Sequence, residues 1–233
     1  MPNIVEVLEP VESVLDIGCG IMPQEYLQAK VHICCDPFPK YLEYLRDKVQ
    51  TRKDKHFILM QAGWSDVVKI FPERSVDTVI LVDVIEHLTK TVALQLLNST
   101  TLLARRQVAI FTPLGFMPQQ HENRVDAWGL GGGEWQEHKS GWLPEDFDST
   151  WDIYAAEVFH THDNNGVLLD QPYGAMWAVK TNSARPDGAS GRSLDLNRDK
   201  LRTLTNRLIN CSPTLLTESL YRLLKTANKV IRF

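Results

Sequence analysis

The chain has no apolar stretch near the roughly 20 residues that cross a bilayer. Residues 1–10 also lack the basic start and apolar centre of a secretory signal. Its four cysteines (Cys19, Cys34, Cys35, Cys211) show no CxxC spacing, and two of them adjoin within an apolar run. That excludes a zinc ribbon and a disulfide frame, and suggests buried thiols in a cytoplasmic protein. Internal repeats and low-complexity tracts are missing too. Positive charge is scarce over most of the length. Residues 185–233 carry ten Lys/Arg against four Asp/Glu, so the net charge of -4 divides into +6 there and -10 in the remainder. An acidic body speaks against a broad nucleic-acid surface.

What is present is a core-forming composition, with 43% hydrophobic residues over 233 positions, enough for one domain with additions. Apolar runs near 13–17, 31–35, 56–61, 77–82 and 107–112 alternate with helix-like segments near 23–29, 39–49, 65–71 and 88–103. That alternation predicts an α/β domain with a mostly parallel, doubly wound sheet. Leu88, Val92, Leu96 and Leu103 give the last helix its period. A Gly/Pro/Trp-rich stretch of some thirty residues follows Thr112, too long for a simple connector. Its aromatics (Phe116, His121, Trp128, Trp135, His138) argue for order. A short helix near 144–147 and closing strands near 151–159 and 174–180 complete a domain over 1–182. Residues 183–233 form a separate basic extension, with leucines spaced for two amphipathic helices parted at Pro213. The extension fits packing on the body or on a second copy as a homodimer, or a peripheral membrane contact.

The most informative run is Ser13-Val-Leu-Asp-Ile-Gly-Cys-Gly20, a buried strand that breaks into a glycine turn with Asp16 just before the break. Gly18 and Gly20 allow a sharp turn and close approach of a ligand. Pro23 stands where a dinucleotide fingerprint would place its third glycine. Sixteen residues past Gly20 comes Asp36, a carboxylate at a strand end that can accept two ribose hydroxyls. Pro37 follows it and helps to start the next helix. The fourth strand runs into Asp83-Val-Ile-Glu-His-Leu88.

Together, Asp-x-Gly-x-Gly, Asp36 and Asp-Val-Ile-Glu-His-Leu resemble class I S-adenosylmethionine-dependent methyltransferases of the small-molecule and glycan type. The resemblance covers roughly residues 11–180. It implies a seven-stranded Rossmann-like sheet and S-adenosylmethionine as cofactor. It assigns the methionine end to Asp16, Gly18, Cys19 and Gly20, with Asp83 and Val84 beside the amino group, and the ribose to Asp36 and Pro37. The adenine would meet Trp64 and Ser65. Either Trp64 stacks on the purine, or Asp66 supplies the acidic residue the family places nearby. Glu86 and His87 would lie at the mouth facing the acceptor, with His87 taking its proton.

Small-RNA 2′-O-methyltransferases carry a similar Glu-His pair with a distant histidine that holds magnesium. His138, in His-Lys-Ser-Gly-Trp142, stands at a comparable place, while Asp83 replaces the first glutamate. The resulting expectation is methyl transfer to a small-molecule or glycan acceptor, with oxygen the favoured atom. A metal-assisted O-methyltransferase is the first alternative. A nicotinamide-dependent oxidoreductase and a non-catalytic cofactor-binding module are the others. No residues are assigned to a resident metal: His160-Thr-His162 has strand spacing but no third ligand near it in sequence. Tyr44 and Lys48 repeat a dehydrogenase spacing but fall on the helix after strand 2, far from any hydride-transfer site.

Overall fold

The structure, a computed structural model, describes residues 1–119, 125–163 and 167–182. The extension over 183–233 and His121 lie outside the described residues. Seven strands form one sheet: β1 (Ser13–Ile17), β2 (Val31–Asp36), β3 (His56–Gln61), β4 (Val76–Val82), β5 (Ala104–Leu114), β6 (Asp152–His162) and β7 (Leu168–Thr181). Their order is β3-β2-β1-β4-β5-β7-β6. Strands β1 to β5 pair in parallel, and β7 runs antiparallel to both β5 and β6. Since β6 is antiparallel to β7, it points the same way as β1 to β5. The strand order reverses between β1 and β4, which opens a crevice at the carboxyl ends of the strands.

The central strands are buried on both faces, as their nearly unbroken apolar text requires. Leu15, Val79 and Ile110 face one core, with helices α3 (Trp64–Ile70) and α4 (Lys90–Leu103). Val14, Ile80 and Ala109 face the other, with the short N-terminal helix α1 (Ile4–Val7). Helix α2 (Pro39–Val49) starts on a proline in its first turn, which needs no N–H there. It buries Tyr41, Leu42, Leu45 and Val49, and the last three close a smaller cluster with Cys19 and Cys34. Burial of each such aliphatic side chain contributes about 1.5–3 kcal/mol.

The expected helix near 23–29 does not form, and this segment is irregular. Pro23 interrupts it, and local side chains take the amides that a helix would cap. Asp16 Oδ2 accepts Gln24 N–H at 3.0 Å, and Gln24 Oε1 accepts Leu27 N–H at 3.1 Å. The helix expected near 88–103 runs over Lys90–Leu103, preceded by a single 3₁₀ turn at Ile85–His87. That near 144–147 is a 3₁₀ turn at Pro144–Asp146.

Candidate active site

Each strand that ends at the crevice delivers one group to it. At the end of β1 the backbone turns back on itself, with Gly18 at φ +74° and Gly20 at φ +57°. A Cβ on Gly18 would stand 2.7 Å from Val84 Cγ2, so only glycine lets this turn lie against the end of β4. Gly18 N–H and Cys19 N–H both donate to the Cys35 carbonyl, at 2.8 and 3.1 Å, tying the turn to β2.

At the end of β2, Asp36 is buried and accepts Gly20 N–H at 3.0 Å on one oxygen and Phe38 N–H at 2.8 Å on the other. Burial pushes its carboxyl up to about 6, against the two amides that favour the anion. At the end of β4, Asp83 adopts φ +52°, a left-handed conformation uncommon for a non-glycine residue. Its side chain is open to the crevice yet walled in by protein, and burial lifts its carboxyl to about 6.

Two adjoining cavities follow from this arrangement, of about 460 and 680 Å³. Gly18, Asp83, His87 and Gln136 line both. The first holds Asp36, Pro37, Trp64, Ser65, Asp66 and Val84, the residues assigned to ribose and adenine together with Val84. Trp64 and Asp66 both reach it, so neither adenine expectation is set aside. The second holds Asp16, Cys19, Gly20 and His138.

Glu86 is placed differently from expectation. It lies beneath the crevice, only 2% exposed, where Oε2 accepts the Thr112 hydroxyl at 3.0 Å and Oε1 has no partner. Burial first, and then the Asp83 charge, hold its carboxyl well above the usual range. A 3₁₀ turn puts successive side chains about 120° apart, so Glu86 goes inward while His87 faces the cavities.

His87 and His138 meet with ring centroids 4.9 Å apart. His87 Nδ1 donates to the Glu137 carbonyl at 3.2 Å, and His138 Nδ1 donates to the Met117 carbonyl at 2.6 Å. Burial, and then the charge of His138, press His87 down to about 4, so it is neutral at physiological pH. The segment bearing His138 is clamped over the 3₁₀ turn. Lys139 and Ser140 N–H donate to the Glu86 carbonyl at 2.7 and 3.1 Å. Trp142 is fully buried beyond it, under the Lys90 ammonium 3.8 Å from its ring centroid.

The long loop closes the site from above. Asp126 accepts the Tyr41 hydroxyl at 2.8 Å and the N–H groups of Trp128, Leu130 and Gly132. Burial opposes its charge, but these donors outweigh it and hold the carboxyl below its usual value. The loop is thereby tied to α2, with Trp128 over Gly20 and Trp135 on the wall of the first cavity.

Among the further wall residues that sequence reasoning did not assign to the site are Tyr26, Met117, His160 and His162 of the second cavity. The two histidines gain meaning from topology alone. Because β6 runs parallel to the core strands, its carboxyl end emerges on the same rim as Asp16, Asp36 and Asp83.

A doubly wound sheet whose switch point carries a glycine turn, a buried carboxylate at the end of β2 and two adjoining cavities is the architecture of a cofactor-binding α/β domain. Residues 15–106 match the methyltransferase domain family. That match, over less than half of the chain, supports an S-adenosylmethionine-dependent methyltransferase, with S-adenosylmethionine as the cofactor. Among solved structures it shares its fold with TehB from Haemophilus influenzae, 14% identical, covering 76% of this chain and 60% of that one, with a TM-score of 0.53. It is also similar to magnesium protoporphyrin IX methyltransferase from Synechocystis PCC 6803 (16% identical, 77% and 78% covered, TM-score 0.49). A SAM-dependent methyltransferase from Archaeoglobus fulgidus follows (14% identical, 77% and 90% covered, TM-score 0.49). No curated protein matches the chain in sequence.

Proposed function

We propose that the enzyme methylates an oxygen of a neutral, hydroxyl-bearing small molecule or glycan. The observation that supports this most is the makeup of the second cavity. Asp16, Glu25 and Asp83 line it together with four histidines, and no Lys or Arg stands among its described lining residues. An anionic acceptor would find no guanidinium or ammonium there to pair with.

Held at the glycine turn and Asp36, S-adenosylmethionine would supply an activated sulfonium methyl to an acceptor oxygen, with S-adenosylhomocysteine as the other product. Sulfonium methyls are already activated, so position and orientation provide most of the acceleration. The acceptor proton passes to the His87–His138 pair. His87 is held neutral, the form in which an imidazole accepts a proton.

The test is a screen of neutral polyols, glycosides and phenols against phosphorylated and amine acceptors, following S-adenosylhomocysteine release. Turnover restricted to the phosphorylated or amine acceptors overturns the reading. With a competent acceptor, His138→Ala is expected to lower kcat about 10²–10⁴-fold while S-adenosylhomocysteine binding stays unchanged.

One observation favours a second, metal-assisted reading. Ligand atoms of Glu86, His87 and His138 lie within 4.8 Å of one another. The unpartnered Glu86 Oε1 and two imidazoles whose Nδ1–H groups are fixed by carbonyls fit a divalent cation. Such an ion would polarise acceptor hydroxyls. Loss of turnover in EDTA, with recovery on adding magnesium or manganese, would select this reading over the proton-transfer one.

A further inference from the structure

Cys19 sits between two left-handed glycines in the middle of the turn that lines the second cavity. Its side chain is only 7% exposed and packs in one apolar cluster with Cys34 of β2. The Cys19 thiol donates to the Gly20 carbonyl at 3.8 Å, and across the cluster each thiol acts on the ionisation of the other. Cys35 belongs to the core on the opposite face of the sheet, as strand alternation requires, so it competes for neither sulfur.

Cys34 has a second unusual neighbour. Its sulfur, a ring nitrogen of His32 and the Asp16 carboxylate lie within 4.8 Å of one another, all buried. His32 Nε2 donates to Asp16 Oδ2 at 3.1 Å, while its Nδ1 is buried with no partner in hydrogen-bonding geometry. A thiol next to an imidazole that a carboxylate orients is the arrangement that generates a thiolate. Nothing in methyl transfer uses it.

We propose that Cys19 and Cys34 are a reversible dithiol–disulfide pair, whose oxidation by a peroxide distorts the glycine turn and weakens cofactor binding. The charges agree with the roles. The neighbouring Cys19 thiol, and then His32, hold the Cys34 thiol below its usual value against burial, while Cys19 is raised and keeps its proton.

The Cys34 thiolate attacks one oxygen of the peroxide, the O–O bond breaks, and the departing hydroxide takes the His32 proton as one water, leaving the Cys34 sulfenic acid. The Cys19 thiol then attacks that sulfur, the S–O bond breaks, and the departing hydroxide takes the Cys19 proton as a second water. Two thiols and one peroxide thus give one disulfide and two waters. A covalent bond draws the two sulfurs together, and the turn has little slack. Gly18 and Cys19 are both tied to the Cys35 carbonyl, and Gly18 has no room against Val84. The effect on binding rests on this turn's being the cofactor cradle, and by linkage a bound cofactor must protect the pair from oxidation.

The experiment treats the full-length protein with hydrogen peroxide, with and without S-adenosylhomocysteine. Linked peptides are mapped by mass spectrometry, and S-adenosylhomocysteine affinity is measured by calorimetry before and after dithiothreitol. A Cys19–Cys34 peptide is expected, with affinity reduced about tenfold or more, restored by reduction, and slower oxidation in the presence of ligand. Cys34→Ser should bind S-adenosylhomocysteine as the reduced wild type does and ignore peroxide, whereas Cys35→Ser should still respond. Absence of the linked peptide, or unchanged affinity in protein that carries it, overturns the proposal. Failure of the reduced wild type to bind S-adenosylhomocysteine would instead overturn the cofactor assignment of the turn, which the peptide map does not depend on.

Discussion

Both oxygens of Asp36 already accept backbone N–H groups, yet each keeps a lone pair for a ribose hydroxyl. Hydroxyl donors favour the anion, whereas burial has pushed the free carboxyl up to about 6. Cofactor affinity should therefore rise with pH through about 6 and level off above it, as Asp36 and Asp83 lose protons. Asp36→Asn should weaken S-adenosylhomocysteine binding about tenfold to a hundredfold, the worth of charge-assisted bonds, and flatten that profile; calorimetry from pH 5 to 8 measures both.

His32 makes the opposite kind of prediction. Burial works against its charge, but the Asp16 and Cys34 contacts raise it to about 9. Its contribution to stability is complete below its unfolded value near 6.5 and is lost as pH rises through about 9. On the order of 3 kcal/mol of unfolding free energy should disappear over that window in reducing buffer. Denaturant titrations of wild type and His32→Gln should differ in this slope.

Asp36 was legible in the sequence because a fixed spacing from a glycine turn to the next strand end is a property of one βαβ unit. Glu86 and His87 were legible as a pair but not in direction. Which of two neighbours in a 3₁₀ turn faces inward depends on Thr112, a β5 residue twenty-six positions past Glu86.

Among elements, the sheet read well, because parallel central strands advertise themselves as unbroken apolar runs. The irregular 23–29 segment did not, since its apolar residues (Tyr26, Leu27, Ala29) imitate a helix while Pro23 and Gln24 oppose one. The stretch 138–142 was visible only as a motif, and the structure supplies its purpose. It is a strap over the 3₁₀ turn that brings His138 to His87.

The strap depends on one close approach. A Cβ on Gly141 would stand 2.5 Å from Phe116 N and 2.8 Å from the Gly115 carbonyl carbon, both backbone atoms that cannot swing aside. Gly141→Ala should lower stability by about 1–3 kcal/mol and displace His138. The expected signature is a lower melting temperature and a fall in kcat, with S-adenosylhomocysteine affinity nearly kept. A variant that melts like the wild type would show that the strap has slack the geometry denies.

At the scale of the whole molecule, charge and topology act together. Five strand ends and the carboxyl end of β6 converge on one rim, and the described residues lining its two cavities include Asp16, Glu25, Asp36, Asp66 and Asp83 but no Lys or Arg. Residues 1–184 carry a net charge of -10. Such a field attracts cations and is screened by salt, with a Debye length of about 10 Å at 0.1 M falling to about 3 Å at 1 M. S-adenosylmethionine bears a sulfonium charge that S-adenosylhomocysteine lacks, although the two share every other group. Affinity for the sulfonium form should therefore drop more steeply with sodium chloride, by a few-fold between about 0.05 and 0.5 M, while the product's affinity changes little. Paired calorimetric titrations across that range measure the difference. Salt thus moves the balance toward product retention, and parallel slopes for the two ligands would mean that the acidic rim does not act on the reacting sulfur at all.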